Sequence, residues 1–192
     1  MFYRLFTYKL QYISVTPGMG GNRKFVYVGK LSGGWPVLEY RNNISSSHPV
    51  YSYVDAGMGY WVSTGLISAT PANILTAKIT HKVAGELAWY LKFGSNYYVV
   101  TAYTEATSDV VLTPTNAYTA SLRITSADIV YNPYASSYNA VTAKTIVAHE
   151  IGHCLGFGEN DSSQYSIMAQ GYIHNNIMYR DYLGLFVKYP TS

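Results

Sequence analysis

The sequence predicts an α/β (α+β) protein built on a partly parallel sheet. Strand-like and helix-like segments interleave along the chain, beginning with strand, long helix and strand, which is an order typical of parallel strands joined by helical crossovers. The 192 residues are 48% hydrophobic and 12% charged, which is enough for one domain with a buried core. This composition excludes an intrinsically disordered chain.

Residues 1–34 are expected to form an N-terminal extension, followed by a single domain over residues 35–192. Gly33 and Gly34 mark the boundary, and residues 24–29 within the extension are typical of a strand. The extension is basic, because five Lys and Arg residues precede the first acidic residue, Glu39. A solvated basic flank is favoured over a polyanion-binding arm. The net charge of only +3 argues against nucleic acid as a partner.

The elements of the domain follow from local composition and periodicity. Residues 37–42 have the composition of a strand, and the next segment places apolar or small side chains at helical spacing before Thr64 and Gly65. Strand-like runs occupy residues 74–83, 97–104 and 121–132, and a helix resumes near Val141. Residues 85–94 are compatible with strand, turn or helix. The side chains at helical spacing are Val50, Tyr53, Val54, Gly57, Met58 and Trp61.

The run His-Glu-Ile-Gly-His that begins at His149 carries the chemistry. On a helix, His149 and His153 project from one face, so that two imidazole nitrogens can converge on one Zn²⁺. Glu150 lies beside such a metal, where a base can take a proton from bound water. Two histidines packed on a helix for other reasons are the less favoured interpretation. Gly156 can adopt a left-handed conformation that ends the helix and returns the chain towards the same metal.

With Gly156, this run resembles the long motif of the metzincin zinc peptidases, His-Glu-x-x-His-x-x-Gly-x-x-His, and within them the matrixin-like group. Residues 166–170 are similar to the Met-turn of that family, with Met168 beneath the metal. Residues 181–190 resemble its C-terminal helix, and residues 127–132 resemble the strand before its active-site helix. The resemblance implies a metzincin-like catalytic domain with a twisted mixed, mostly parallel sheet, a long backing helix, an active-site helix, a Met-turn and a C-terminal helix.

The resemblance departs from the family pattern at the third metal ligand. Glu159 stands where the family usually has histidine, and a carboxylate is a competent ligand beside two histidines. Asp161 is the alternative third ligand, and a site without a third protein ligand is a further one. The implied cofactor is Zn²⁺. A carboxylate ligand would leave metal-bound water less acidic than a site of three histidines does.

Other side chains in the domain are expected to have less direct roles. Cys154 is interpreted as a buried thiol rather than a ligand, and as the only cysteine it cannot form an intramolecular disulfide. Tyr172 is close enough in sequence to line a cleft, although this role is the less favoured one. Some family members have a tyrosine near the metal two residues after the turn methionine. That position is Gln170 here, so no such role is expected of it. The remaining histidines, interpreted as structural or exposed, are His48, His81 and His174.

The function implied by the resemblance is a zinc-dependent endopeptidase acting on extended protein or peptide substrates, with Glu150 as general base. Residues 97–104 are the candidate edge strand for substrate pairing. The sequence contains no integral membrane segment, and its low charge and 21 Tyr favour an extracellular or cell-surface location. The alternative is a surface or particle-associated binding module with a structural or vestigial zinc site, and the presence of Glu150 counts against it.

Overall fold

The computed structural model describes residues 37–112, 120–135, 138–158, 165–169 and 174–188. The extension, with the strand predicted at residues 24–29, lies outside them. No helix in the described ranges combines the length and apolar character needed to cross a membrane. The described strands are β1 (Val37–Asn42), β2 (Ser68–Pro71), β3 (Ile79–Val83), β4 (Ala102–Leu112) and β5 (Ala120–Tyr131), and the helices are α1 (Val54–Val62), α2 (Glu86–Phe93), α3 (Ala140–Cys154) and α4 (Tyr179–Lys188).

The five described strands form one sheet in the order β2-β1-β3-β5-β4. β1 pairs in parallel with both β2 and β3, and β3 pairs in parallel with β5. Only β4, at one edge of this described sheet, runs antiparallel to its neighbour β5. The predicted mixed, mostly parallel sheet is therefore confirmed, together with the α/β fold class.

Helices lie on both faces of the sheet, and α2 contacts it at the edge strand β4. α1 packs against α3 on one face, and the indole nitrogen of Trp61 donates to the Ala148 carbonyl of α3 at 2.7 Å. On the other face, Trp89 of α2 contacts the ring of Tyr103, whose side chain leaves β4 opposite to its neighbours Ala102 and Thr104. The predicted long helix is present as a short 3-10 turn followed by α1. The chain then turns at Gly65, where φ is 71°.

Two predicted strands begin later than their composition suggests. β3 begins at Ile79 rather than at residue 74, because the Asn73 side chain accepts hydrogen bonds from Leu75 and Thr76 and closes a turn. β4 begins at Ala102 rather than at Tyr97. The carbonyl of Tyr97 accepts instead from the indole of Trp89 at 2.9 Å and from the amide of Asn132 at 2.8 Å.

Two further elements did not follow from the sequence. The undecided segment at residues 85–94 forms α2, which Gly94 ends with a φ of 54°. The strand β2 was missed, because its four residues show no alternation and end at a proline. β2 forms because it pairs in parallel with β1 at one edge of the described sheet, and its own sequence does not predict this pairing.

His81 lies on β3, and its side chain is fully buried. Its Nδ1 lies 2.9 Å from the hydroxyl of Tyr131, on whose ring it stacks, and its edge contacts Tyr40. Burial lowers the pKa of His81 from 6.5 to about 3, because the apolar surroundings penalise the charged imidazolium. His81 is therefore structural. The sequence predicted that it is either structural or exposed.

His81 is expected to make the protein less stable in acid. Its folded pKa lies below the unfolded value of 6.5, so the unfolded chain takes up the proton first as the pH falls. Stability is then fully present above pH 6.5 and decreases by about 1.4 kcal/mol per pH unit as the pH falls towards 3. Urea unfolding of the wild type and His81→Phe between pH 7 and 4 measures this term. Parallel pH dependence of the two proteins would contradict it.

Gly57 sets the distance between α1 and α3. A Cβ atom at this position would lie 2.4 Å from the Val147 side chain and 3.0 Å from the Lys144 carbonyl. Gly57→Ala is therefore expected to reduce the free energy of unfolding by about 1–3 kcal/mol. The matched control is Gly59→Ala on the same helix, where an added Cβ meets nothing within 4 Å. Equal urea midpoints for the two variants would show that α1 and α3 are not in this contact.

Candidate metal centre

The two histidines of the motif lie on α3, which begins with a side-chain cap. The Asn139 side chain accepts from the Thr142 backbone N–H at 2.8 Å and satisfies one of the free donors at the helix start. His149 and His153 share one face near the end of this helix, with ring centroids 4.8 Å apart. His149 is buried with 2% exposure, whereas His153 is partly exposed. The motif thus brings two imidazoles together at the border of the core.

Each imidazole is held by a backbone carbonyl that lies outside α3. Nδ1 of His149 lies 2.9 Å from the Ile167 carbonyl, and Nδ1 of His153 lies 2.9 Å from the Phe157 carbonyl. A carbonyl only accepts, so Nδ1 is the protonated nitrogen in both rings. In a neutral imidazole Nε2 then carries the lone pair, which is the tautomer that metal-ligating histidines adopt with such partners.

Gly156 ends α3 and returns the chain. Its φ is 81°, and the N–H of Phe157 donates to the Gly152 carbonyl at 2.9 Å, which closes the end of the helix. This return is what carries the Phe157 carbonyl to His153. The predicted third ligand Glu159 and its alternative Asp161 lie beyond this point, outside the described residues.

The donor chemistry of this site fits zinc as far as the described residues extend. Two imidazoles with fixed Nδ1 protons supply two of the nitrogen ligands that a catalytic zinc takes. Within the described ranges, no group of three or more His, Cys, Asp or Glu side chains is close enough to hold a metal ion. A third ligand at Glu159 or Asp161 therefore stays a prediction.

Met168 packs directly beneath the helix segment that joins the two histidines. A Cβ atom on Gly152 would lie 2.1 Å from the Met168 sulfur and 3.0 Å from Cζ2 of Trp61. Glycine at this position thus lets sulfur and indole contact the helix backbone. Met168 is fully buried, in a turn that also supplies the Ile167 carbonyl to His149. That Met168 lies beneath a bound metal, as in a Met-turn, stays a prediction.

Asp181 joins this turn to α4, a role the sequence did not reveal. Its carboxylate accepts from the Ser166 hydroxyl, from the Ile167 N–H at 2.8 Å and from the Met178 N–H at 2.9 Å. Burial raises the pKa of Asp181 above its usual value, whereas these three donors act in the opposite direction. The available signal was an aspartate in the first turn of a predicted helix, where it can cap backbone donors.

Glu150 projects from α3 towards the edge strand β4. It is buried with 2% exposure, and its Oε2 accepts from the hydroxyl of Thr104 at 2.7 Å. The base candidate is therefore placed between the helix and the strand predicted to meet substrate. In the sequence, Thr104 is only the last residue of the candidate edge strand, and no motif indicates its contact with Glu150.

The remaining predicted residues have roles apart from the two imidazoles. Cys154 is buried in the hydrophobic core. His48 lies with one ring nitrogen 3.1 Å from the Asn132 carbonyl, and His174 is partly buried beside the ring of Tyr165. Gln170 and Tyr172 lie outside the described residues.

The solved structures that are similar to this chain include the following two. High choriolytic enzyme 1, a hatching-enzyme zinc protease from the medaka Oryzias latipes, has 13% identity and a TM-score of 0.49, covering 91% of this chain and 98% of its own. Myroilysin has 13% identity and a TM-score of 0.39, covering 90% of this chain and 93% of its own. No protein-family model and no curated protein matches the chain. At these scores the two likenesses do not bear on function.

Gly152→Ala is expected to destabilise the metal-free protein by about 1–3 kcal/mol, because the new methyl group displaces Met168. In a Met168→Ala background the clashing sulfur is absent, so the same substitution should cost less. A double-mutant cycle on urea unfolding measures the difference. The same cost in both backgrounds would mean that Met168 does not contact Gly152.

Proposed function

We propose that this chain is a zinc-dependent endopeptidase that cleaves extended protein or peptide substrates. The observation that carries the proposal is the pair of α3 imidazoles, 4.8 Å apart, whose Nδ1 atoms are each held by a carbonyl. A carboxylate, Glu150, follows the first of them in sequence. Histidines that served only packing would not require this shared tautomer together with an adjacent buried acid.

The residues proposed to hold the metal are His149 and His153 through Nε2, with Glu159 as third ligand and Asp161 as its alternative. A bound zinc ion would supply Lewis-acid polarisation of the scissile carbonyl and acidification of water. The carbonyl partners of the two rings keep the imidazoles oriented. This arrangement reduces the reorganisation that metal binding would otherwise require.

Glu150 is proposed as the general base and acid of the reaction. Its carboxylate would accept a proton from the attacking water and deliver it to the leaving amine. With 2% exposure, it is shielded from bulk water, so its charge acts on the reacting groups with little screening.

The substrate is proposed to lie along β4, which forms one edge of the described sheet. An edge strand presents backbone N–H and C=O groups that can pair with an extended peptide of varied sequence. Because Thr104 of this strand contacts Glu150, a peptide on β4 would lie close to the base. The low charge and high tyrosine content support action outside the cell.

A binding module is the second candidate, and a surface feature favours it. Three tyrosines cluster around Tyr97, whose ring lies 5.4 Å from Tyr90, 3.7 Å from Tyr98 and 5.0 Å from Tyr134. Tyr98 is 70% exposed and Tyr90 is 50% exposed. Such a surface suits partner recognition. A zinc with four protein ligands would support this candidate, whereas an open position supports catalysis.

Zinc-loaded protein is expected to cleave members of a broad library of quenched fluorescent peptides, and Glu150→Gln is expected to lower kcat by about 10²–10⁴-fold. Zinc content should be unchanged, because Glu150 is not proposed as a ligand. The matched control is Glu86→Gln, an exposed glutamate in the first turn of α2.

The proposal fails if folded, zinc-loaded protein cleaves no peptide, or if Glu150→Gln is as active as Glu86→Gln. Removal of zinc by a chelator should abolish cleavage, and addition of zinc should restore it. Diffraction at the zinc absorption edge then identifies the third ligand as Glu159 or Asp161.

A further inference from the structure

The hydroxyl of Thr104 reaches Glu150 across 46 positions of sequence. Its Oγ1 lies 2.7 Å from the carboxylate Oε2 and 3.1 Å from the backbone carbonyl of the same residue. A hydroxyl carries one proton, so it can donate fully to only one of these acceptors. The shorter distance and the charge of the carboxylate favour Oε2.

Both partners of this contact are held by their elements. The backbone of Thr104 pairs with Ile129 in the β4-β5 ladder, and its β-branched side chain has few rotamers. Glu150 is buried on α3, between the two histidines of the motif. A glutamate otherwise has several rotatable bonds, so a fixed donor selects one orientation of its carboxylate.

We infer that Thr104 is a positioning residue for Glu150, an inference that rests on the proposed peptidase function. Thr104 holds one carboxylate oxygen. A carboxylate has about four lone-pair directions, so one donor does not saturate its capacity to accept a proton. Orientation fixed in advance spares the reaction the cost of ordering the base.

A purely structural role for Thr104 makes a different prediction. In that case the hydroxyl serves only the Glu150 backbone carbonyl and links α3 to β4. Removal of the hydroxyl would then lower stability and leave the turnover of the folded protein unchanged. Thr104→Val, which keeps the shape, and Thr104→Ser, which keeps the hydroxyl, separate the two roles.

Steady-state kinetics on a cleaved peptide test the inference in zinc-loaded protein. Thr104→Val is expected to lower kcat by about 10–100-fold with KM and zinc content unchanged, because only the orientation of the base is lost. Thr104→Ser should restore kcat to within about threefold of the wild type. The matched control is Thr80→Val, on β3 between the inward-facing Ile79 and His81 and hence on the other face of the sheet. A kcat for Thr104→Val equal to that of Thr80→Val overturns the inference.

Crystal structures of the metal-free proteins give a readout that does not depend on activity. The Glu150 carboxylate should keep its place in wild type and Thr104→Ser and should move or occupy several conformers in Thr104→Val. An unmoved carboxylate in Thr104→Val overturns the inference. Absence of cleavage by the wild type defeats the proposed function instead, and these structures still decide whether Thr104 holds Glu150.

Discussion

The absence of a side chain at Gly152 is the constraint on which the candidate centre depends. The sulfur of Met168 and the indole of Trp61 both reach the backbone of α3 at this point, between the two histidines. Trp61 also donates to the Ala148 carbonyl one residue before His149. The helix is thus held from below by two large side chains at the level where its imidazoles project. Any β-carbon there would push the helix away from both supports.

Hydrogen bonds connect α3 and the turn beneath it with other segments of the chain. The turn that contains Met168 gives its Ile167 carbonyl to His149, and Asp181 binds the same turn to α4. The return after Gly156 gives the Phe157 carbonyl to His153. Each imidazole is therefore oriented by backbone outside its own helix. The positions of the two rings therefore depend on how α3 packs against the turn that contains Met168, which Asp181 of α4 binds.

Local patterns predicted the elements whose determinants are local. β1 has the predicted bounds, and α3 begins one residue before Val141 because Asn139 caps it. The start of β4 was wrong because the Tyr97 carbonyl bonds to Trp89 and Asn132, and no local pattern encodes such contacts. The contacts that orient the motif were hidden for the same reason. Ile167 lies 18 positions from His149, and Thr104 lies 46 positions from Glu150.

The backbone and the side chains of the edge strand β4 have separate roles in the proposed reaction. Its backbone would pair with substrate in the plane of the sheet, while the side chain of Thr104 points out of that plane towards α3. The register of β4 against β5 is regular from Ala102 to Thr107, and the irregularity falls between Thr107 and Ser108. The strand therefore keeps an unbroken ladder where it contacts Glu150. A shift of one residue there would turn Thr104 to the other face, so the register of this pair governs both the base and the substrate edge.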